Sequence, residues 1–312
     1  METNLMISVR YARPEDYLDA HDKQDDSSLR FNERLLQSDE GSAEIDPSFG
    51  RVIARTADKI VGTCAIRSNW DGVVQPGRFW VTISLVPRWH GRGLDTRMLQ
   101  YAIAELGAEI GELATCIRED HLQHADFLEE FGFAERFRSW GAHLDLRVFD
   151  PTRFDAVIER LQQSGLRLIS YAELRSDEND RKLLDLKRDL DRDVLSFDPI
   201  VPSGGGDILG DEYLPAGLIV AVNQQDDFVG MASLRRTSSA EIIDSGLTGV
   251  RREYRGRGIA TALKVRSLTV AKELGATENG TGGGGTNAPM KRLNQKLGYE
   301  VGPEWVTLIG PR

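Results

Sequence analysis

Thr248-Gly249-Val250-Arg251-Arg252-Glu253-Tyr254-Arg255-Gly256-Arg257-Gly258-Ile259-Ala260-Thr261 is the stretch on which the fold turns. The extended segment Glu241 to Val250 feeds it, and helix-spaced apolar residues from Ile259 to Leu274 leave it, stopping at Gly275. A strand that becomes a helix through alternating glycines presents a row of backbone N–H groups at a helix N-terminus, where the dipole favours an anion. Glycine at every second position lets the main chain approach a pyrophosphate without an obstructing Cβ, and Arg255 and Arg257 add charge. A Gly-x-Gly turn alone reads more readily as a structural turn than as a phosphate site.

The same arrangement occurs earlier in the chain. His90-Gly91-Arg92-Gly93-Leu94 parallels Arg255-Gly256-Arg257-Gly258-Ile259, and Phe131-Gly132-Phe133 parallels Leu297-Gly298-Tyr299. Gly91 to Gly132 spans 41 positions and Gly256 to Gly298 spans 42, so the chain reads as two like units in tandem. In each, a helix (Leu94 to Leu106, stopping near Gly107; Ile259 to Leu274) lies between extended segments: Phe79 to Val86 and Glu112 to Ile117, then Glu241 to Val250 and Ala276 to Thr281. Upstream hairpins are expected from Arg51-Val52-Ile53-Ala54 with Ile60 to Ile66, turned at Ala57-Asp58, and from Leu218 to Val222 with Phe228 to Leu234. The fold class is therefore mixed α/β with a central sheet in each unit. A boundary is expected near Asp150-Pro151, giving residues 1–150, a connecting segment 151–165 and residues 166–312. Asp177 to Val194 reads as a solvated amphipathic helix. The Pro- and Gly-rich stretch Ser196 to Gly217, with Asp207, Asp211 and Glu212, reads as a flexible loop suited to covering a site.

A length of 312 residues fits two domains at about 100–200 residues each. Asp and Glu number 49 against 39 Lys and Arg, a net charge of -10 that disfavours nucleic acid and anionic membranes as partners. Cys64 and Cys116 lie in apolar runs and read as buried thiols, and neither a signal peptide nor a membrane span is visible; a cytoplasmic protein is expected. Asp120, His121 and His124 read as capping or surface residues, so no metal is expected. The five Trp, Trp80 and Trp140 among them, are expected in the core.

At this point the sequence resembles the GNAT superfamily of acyl-CoA-dependent N-acyltransferases, over nearly its whole length. Arg88-Trp89-His90-Gly91-Arg92-Gly93 meets the family's signature, and Glu253-Tyr254-Arg255-Gly256-Arg257-Gly258 meets it except at the first position. With Asn287-Ala288-Pro289-Met290 and Asn294-Gln295-Lys296-Leu297-Gly298-Tyr299, the second half is similar to tandem GNAT proteins related to mycothiol synthase. The resemblance implies two tandem domains, each a mostly antiparallel sheet with splayed fourth and fifth strands flanked by helices. It further implies acetyl-CoA as acyl donor, a primary amine of a small metabolite as acceptor, and direct attack without a metal. Acetylation of a protein amine and non-catalytic binding of acyl-CoA are the competing readings. A homodimer is compatible with the family.

Carried onto this sequence, the resemblance assigns coenzyme A binding to Thr248, Val250, Arg255, Gly256, Arg257, Gly258, Ile259, Ala260, Thr261 and Asn287, and in the first unit to Arg88, His90, Gly91, Arg92 and Gly93. Asp244, on the strand entering the motif, is the first candidate for the base and Glu241 the second. The family's usual Tyr acid is missing: seven residues beyond Asn287 stands Asn294, the candidate at that position, and its counterpart in the first unit, counted from His121, is Leu128, so neither half carries the usual acid and water or another Tyr must serve. Asp95, where the second unit has Ala260, places a carboxylate beside the pyrophosphate turn, so the first unit is expected to be degenerate. Gly282-Gly283-Gly284-Gly285 reads as a loose segment beside the thioester.

Overall fold

The computed structural model describes residues 8–11, 49–55, 60–67, 69–70, 73–74, 76–86, 89–106, 111–194, 208–237 and 239–311. Ala57-Asp58, Arg88, Gly107 and the stretch from Ser196 to Asp207 lie outside them. The chain forms two units, Met1–Phe137 with Trp305–Arg312, and Arg138–Glu304.

The first unit contains β1 (Ser8–Tyr11), β2 (Phe49–Arg55), β3 (Ile60–Arg67), the small hairpin β4 (Asn69–Trp70) and β5 (Val73–Val74), β6 (Arg78–Leu85), α1 (Leu94–Leu106), β7 (Glu112–Arg118) and the single turn α2 (Phe127–Glu130). Its main sheet runs β1-β2-β3-β6-β7 and is antiparallel except at β6–β7. Beyond β7 it is completed from the far end of the chain, where Trp305 to Pro311 pair antiparallel with Arg118 to Glu112. Leu94, Met98, Leu99 and Ala102 form the buried stripe of α1 and pack on Val52, Cys64, Ile66, Val81 and Leu85. Each leucine, methionine, isoleucine or valine among them contributes about 1.5–3 kcal/mol on full burial. Cys64 and Cys116 are free thiols, and burial pushes Cys64 up to about 12.

The second unit begins at Arg138 within β8 (Ala134–Asp145), continues through α3 (Asp155–Gln163), β9 (Arg167–Ser170), α4 (Tyr171–Leu174), α5 (Asp177–Asp191), β10 (Ile219–Val222), β11 (Phe228–Arg236), β12 (Ile242–Val250), α6 (Ile259–Glu273), β13 (Glu278–Gly284) and α7 (Ala288–Leu297), and ends at Glu304 within β14 (Glu300–Pro311). Its sheet runs β8-β13-β12-β11-β10-β9, with β12–β13 the parallel pair. Ile219 and Ala221 pack towards Ile259, Ala262 and Leu263 of α6, while Val220 and Val222 pack towards Leu183, Leu186 and Leu190 of α5. Both faces of β10 are therefore covered, which is why that strand is apolar without alternation. Helix α5 is more than a solvated face, because three of its leucines are at most 3% exposed. It starts at Ser176, whose Oγ accepts from Asn179 N at 3.2 Å.

One expectation fails here. The glycine run is not a loose segment: Gly282, Gly283 and Gly284 are strand residues opposite Gly141, Trp140 and Ser139 of β8, and Gly285 N donates to Arg138 O at 2.7 Å. The glycines are set by close approach. A Cβ at Gly282 would stand 2.9 Å from Trp140 O, and one at Gly283 3.0 Å from the Trp140 indole, whose Nε1 donates to Gly284 O at 3.1 Å. The described end of the Ser196–Gly217 stretch is likewise fastened, with Tyr213 bridged to Arg235 and Arg236 N donating to Glu212 O at 2.7 Å. Gly282→Ala should lower stability by about 1–3 kcal/mol, read by urea denaturation, because the added methyl meets rigid backbone.

Candidate active site

Strands β12 and β13 pair over three residues only: Ile242 with Glu278, Ile243 with Asn279 and Asp244 with Gly280. Beyond Gly280, β13 stays paired with β8, whereas β12 follows β11. The two strands therefore part at Ser245 and Thr281, opening a fork whose inner edges have no strand partner. A β-bulge deepens it, since Ala232 faces Thr248 but Leu234 faces Ser245, leaving Gly246 and Leu247 opposite Ser233.

At the far end of β12 the chain turns into α6 through Gly256 and Gly258, with φ of 77° and 87°. That left-handed backbone, rather than lack of space, requires glycine at 256, because a Cβ there would meet nothing within 4 Å. Helix α6 starts at Gly258 with no side-chain cap, so its first amides have no intrahelical acceptor. They open on a cleft of about 670 Å³ lined by Tyr254, Gly256, Arg257, Gly258, Thr261 and Arg160. Ile259 is buried in the core beneath, and Ala260 is half-buried.

The two motif arginines behave differently. Arg257 borders the cleft, its guanidinium 5.1 Å from the centroid of the Tyr254 ring and donating to Glu253 O at 2.9 Å. Arg255 is turned away: its Nε donates to Val250 O at 2.9 Å and its Nη2 pairs with Asp193. Arg252 donates to the same carboxylate, and hydrogen bonds from Arg252 and Arg255 hold Asp193 well below the usual carboxylate range. Asn287 caps α7, its Oδ1 accepting from Met290 N at 3.3 Å.

Asp244 stands at the fork, and the absence of a side chain at Gly280 makes room for it; a Cβ there would lie 2.3 Å from Asp244 Oδ1. Glu241 is not brought to the fork. It precedes the closed end of the pair, exposed, its carbonyl accepting from Thr277 N and Glu278 N. Thr248 Oγ1 is buried without a hydrogen-bond partner among the described residues, as is Asn294 Nδ2. Asn294 is fully buried, and its Oδ1 accepts from Lys264 Nζ at 2.8 Å.

The first unit repeats the frame with different contents. Gly91 and Gly93 have φ of 69° and 68°, and Arg92 lies over Trp89 at 5.3 Å, as Arg257 lies over Tyr254. His90 is half-buried on the same turn. Asp95, only 7% exposed, accepts from Thr96 N at 2.8 Å, placing an anion of the chain's own in the first turn of α1. Strands β6 and β7 also part after three pairs, but Trp80 holds the place of Asp244 and β6 runs alongside β3 without a register shift.

The family profile described as "Acetyltransferase (GNAT) family" matches residues 10–133 and again 193–299. The chain belongs to the GNAT acetyltransferase family. It is a tandem GNAT N-acetyltransferase, and its fold is shared with solved structures at low identity. A GCN5-related N-acetyltransferase from Sphaerobacter thermophilus superposes with a TM-score of 0.68 at 19% identity, covering 98% of this chain and 95% of that one. A tandem GNAT protein from the clavulanic acid biosynthesis pathway gives 0.64 at 18%, covering 98% of both chains. A glucosamine N-acetyltransferase region of a fungal multi-domain GH3 β-N-acetylglucosaminidase gives 0.67 at 15%, covering 99% of this chain and 38% of that one. No curated protein matches the sequence. Among the described residues no three His, Cys, Asp or Glu side chains group as a metal site would require, and no helix is long and apolar enough to cross a membrane.

Sequence reasoning missed Lys264, whose one visible signal is a lysine between Leu263 and Val265 on an apolar helix. It is 1% exposed, and burial lowers it to about 7. A lysine less basic folded than unfolded destabilises the protein below the unfolded value of 10.5, increasingly as pH falls towards 7. The full penalty is on the order of 5 kcal/mol. Lys264→Met should therefore raise the unfolding midpoint at pH 7, with the gap over the parent closing as pH rises towards 10, read by thermal denaturation across that range.

Proposed function

We propose that the second unit transfers an acetyl group from acetyl-CoA to a primary amine of a small metabolite by direct attack. Bound acetyl-CoA would supply the activated acyl carbon as a thioester. The amides from Gly256 to Thr261 hold its diphosphate with Arg257 adding charge, and the unpaired edge of β12 offers main-chain hydrogen bonds to the pantetheine arm. A main-chain N–H near Val250 donates to the carbonyl oxygen as charge develops on it. Asp244 accepts the proton of the attacking amine, directly or through water. Asp211 and Glu212, exposed ahead of Tyr213, favour a cationic acceptor. Two free thiols fit a cytoplasmic setting.

One observation carries this reading: the strands part immediately after Asp244, on the strand that leads into the glycine turn. The first unit supports it by contrast. With Asp95 at the N-terminus of α1 and Trp80 at its fork, that unit offers a diphosphate a repelling charge and an amine no carboxylate.

Calorimetry of acetyl-CoA on the full chain should give one site per chain. Gly258→Glu should weaken binding by roughly a hundredfold or more, because backbone strain of about 1–3 kcal/mol adds to charge repulsion, whereas Gly93→Glu should leave it unchanged. Two sites, or full binding in Gly258→Glu, would reassign the working unit. With an amine found by panel screening, Asp244→Asn should lower kcat by about 10²–10⁴-fold with little change in acetyl-CoA affinity.

A further inference from the structure

In the second unit's sheet, the last parallel pair of the fork is part of a longer row. Asp244 pairs with Gly280, and Gly280 in turn pairs with His143 of β8. Residues directly opposite one another on neighbouring strands share a face, so Asp244 and His143 stand on the same side of the sheet with a residue lacking a side chain between them. Two strand spacings put their Cα atoms about 10 Å apart. Asp244 leans into the gap, because its Oδ1 crowds the place where a Cβ of Gly280 would stand. The other face is closed: Ala142, Leu144 and Ile243 are core residues, and beneath the fork Lys264, Asn279, Asn294 and Tyr299 form a buried polar set.

His143 is held in a usable tautomer. Its Nδ1 lies 2.8 Å from Glu278 Oε1, and a carboxylate only accepts, so Nδ1 carries the ring proton and Nε2 keeps its lone pair. The imidazole is 69% exposed, so water reaches it. The first unit has the same row without the chemistry. Trp80, Ala114 and Ile309 stand where Asp244, Gly280 and His143 stand, and Glu112, at the place of Glu278, accepts from Arg78 Nε at 2.6 Å. One sheet topology is built with either row, so strand pairing does not require the aspartate, the glycine or the histidine.

We propose that His143 receives, through water, the proton that Asp244 takes from the acceptor amine, and passes it to solvent. This rests on the function proposed above. A carboxyl group that has taken a proton from an amine must lose it before the next turnover, and imidazole is the side chain that exchanges protons near neutral pH. As the nitrogen bonds to the acyl carbon, the carbon–sulfur bond breaks and its electron pair leaves on sulfur. The nitrogen's proton goes to Asp244, then to the Nε2 lone pair and out to water, and it balances the charge of the thiolate. His143 acts through Asp244, and Glu278 positions the ring. The charged groups on the elements beside the imidazole are Glu278 on β13 and, beyond Gly280, Asp244 on β12 with Arg235 opposite it on β11. Asp145, paired with Arg147, ends its own strand, and Glu300 and Glu304 lie on the part of β14 next to β8.

The test uses the full chain, acetyl-CoA and a primary amine found by panel screening, with kcat followed against pH. In the parent protein kcat should fall as pH drops through the imidazole range, since a protonated ring has no lone pair to accept with. His143→Gln should lower kcat about tenfold or more at pH 7 and lose that limb of the profile, with KM for acetyl-CoA within about twofold of the parent. Glu278→Gln, which frees the ring to turn, should lower kcat by a smaller factor. Imidazole added to the buffer should restore His143→Ala in proportion to its concentration and leave the parent unchanged, a response that a structural defect would not give. His143 is exposed, so these substitutions take nothing from the core. Equal kcat and an equal pH profile in parent and His143→Gln overturn the relay alone, as does a loss that imidazole fails to repair. A parent protein that acetylates no amine overturns instead the function on which the relay rests.

Discussion

The short parallel pairing of β12 with β13 is the constraint on which the second unit depends. Three residue pairs hold the strands together, and each then finds another partner, β12 with β11 and β13 with β8. Parallel strands cannot be joined by a tight turn, so a helix must lie between them, and that helix is α6. Its exposed first amides, the unpaired strand edges and Asp244 are therefore products of one topological choice. Fork and anion cradle come together because a single strand leads from one to the other.

The two units show what such a frame leaves undecided. Both have the fork, the pair of left-handed glycines and an arginine over an aromatic ring. They differ in the side chains and in one backbone detail, the bulge in β12. The first unit fills its fork with Trp80 and an apolar core and occupies its helix N-terminus with Asp95, whereas the second retains a carboxylate, a lysine and two asparagines. The frame survives either filling because the helices α1 and α6 are each held to their sheet by a buried apolar stripe, Leu94, Met98 and Leu99 in one and Ile259, Ala262 and Leu263 in the other.

Much of the fold was legible in the sequence. The glycine turns announced helix starts at Leu94 and Ile259, and both helices begin there, since a positive φ is a local property that few residues other than glycine tolerate. The repeat was legible because two copies of a motif at matching spacing need no structure to be seen. The buried set beneath the fork was not legible: Lys264, Asn279, Asn294 and Tyr299 come from three helices or strands and the start of a fourth, and no sequence period links them.

By itself the sequence determined where strands become helices, that the unit occurs twice, and which loops bear the glycines, because these follow from backbone preference and apolar periodicity within short windows. Only the tertiary structure decided that Gly282 to Gly284 are strand residues packed against Trp140 with Gly285 against Arg138, that residues 305–311 complete the first unit's sheet, and that Arg255 turns from the cleft to Val250 and Asp193. Each of those outcomes depends on which distant atoms arrive at van der Waals or hydrogen-bond distance, and a linear pattern carries no record of that.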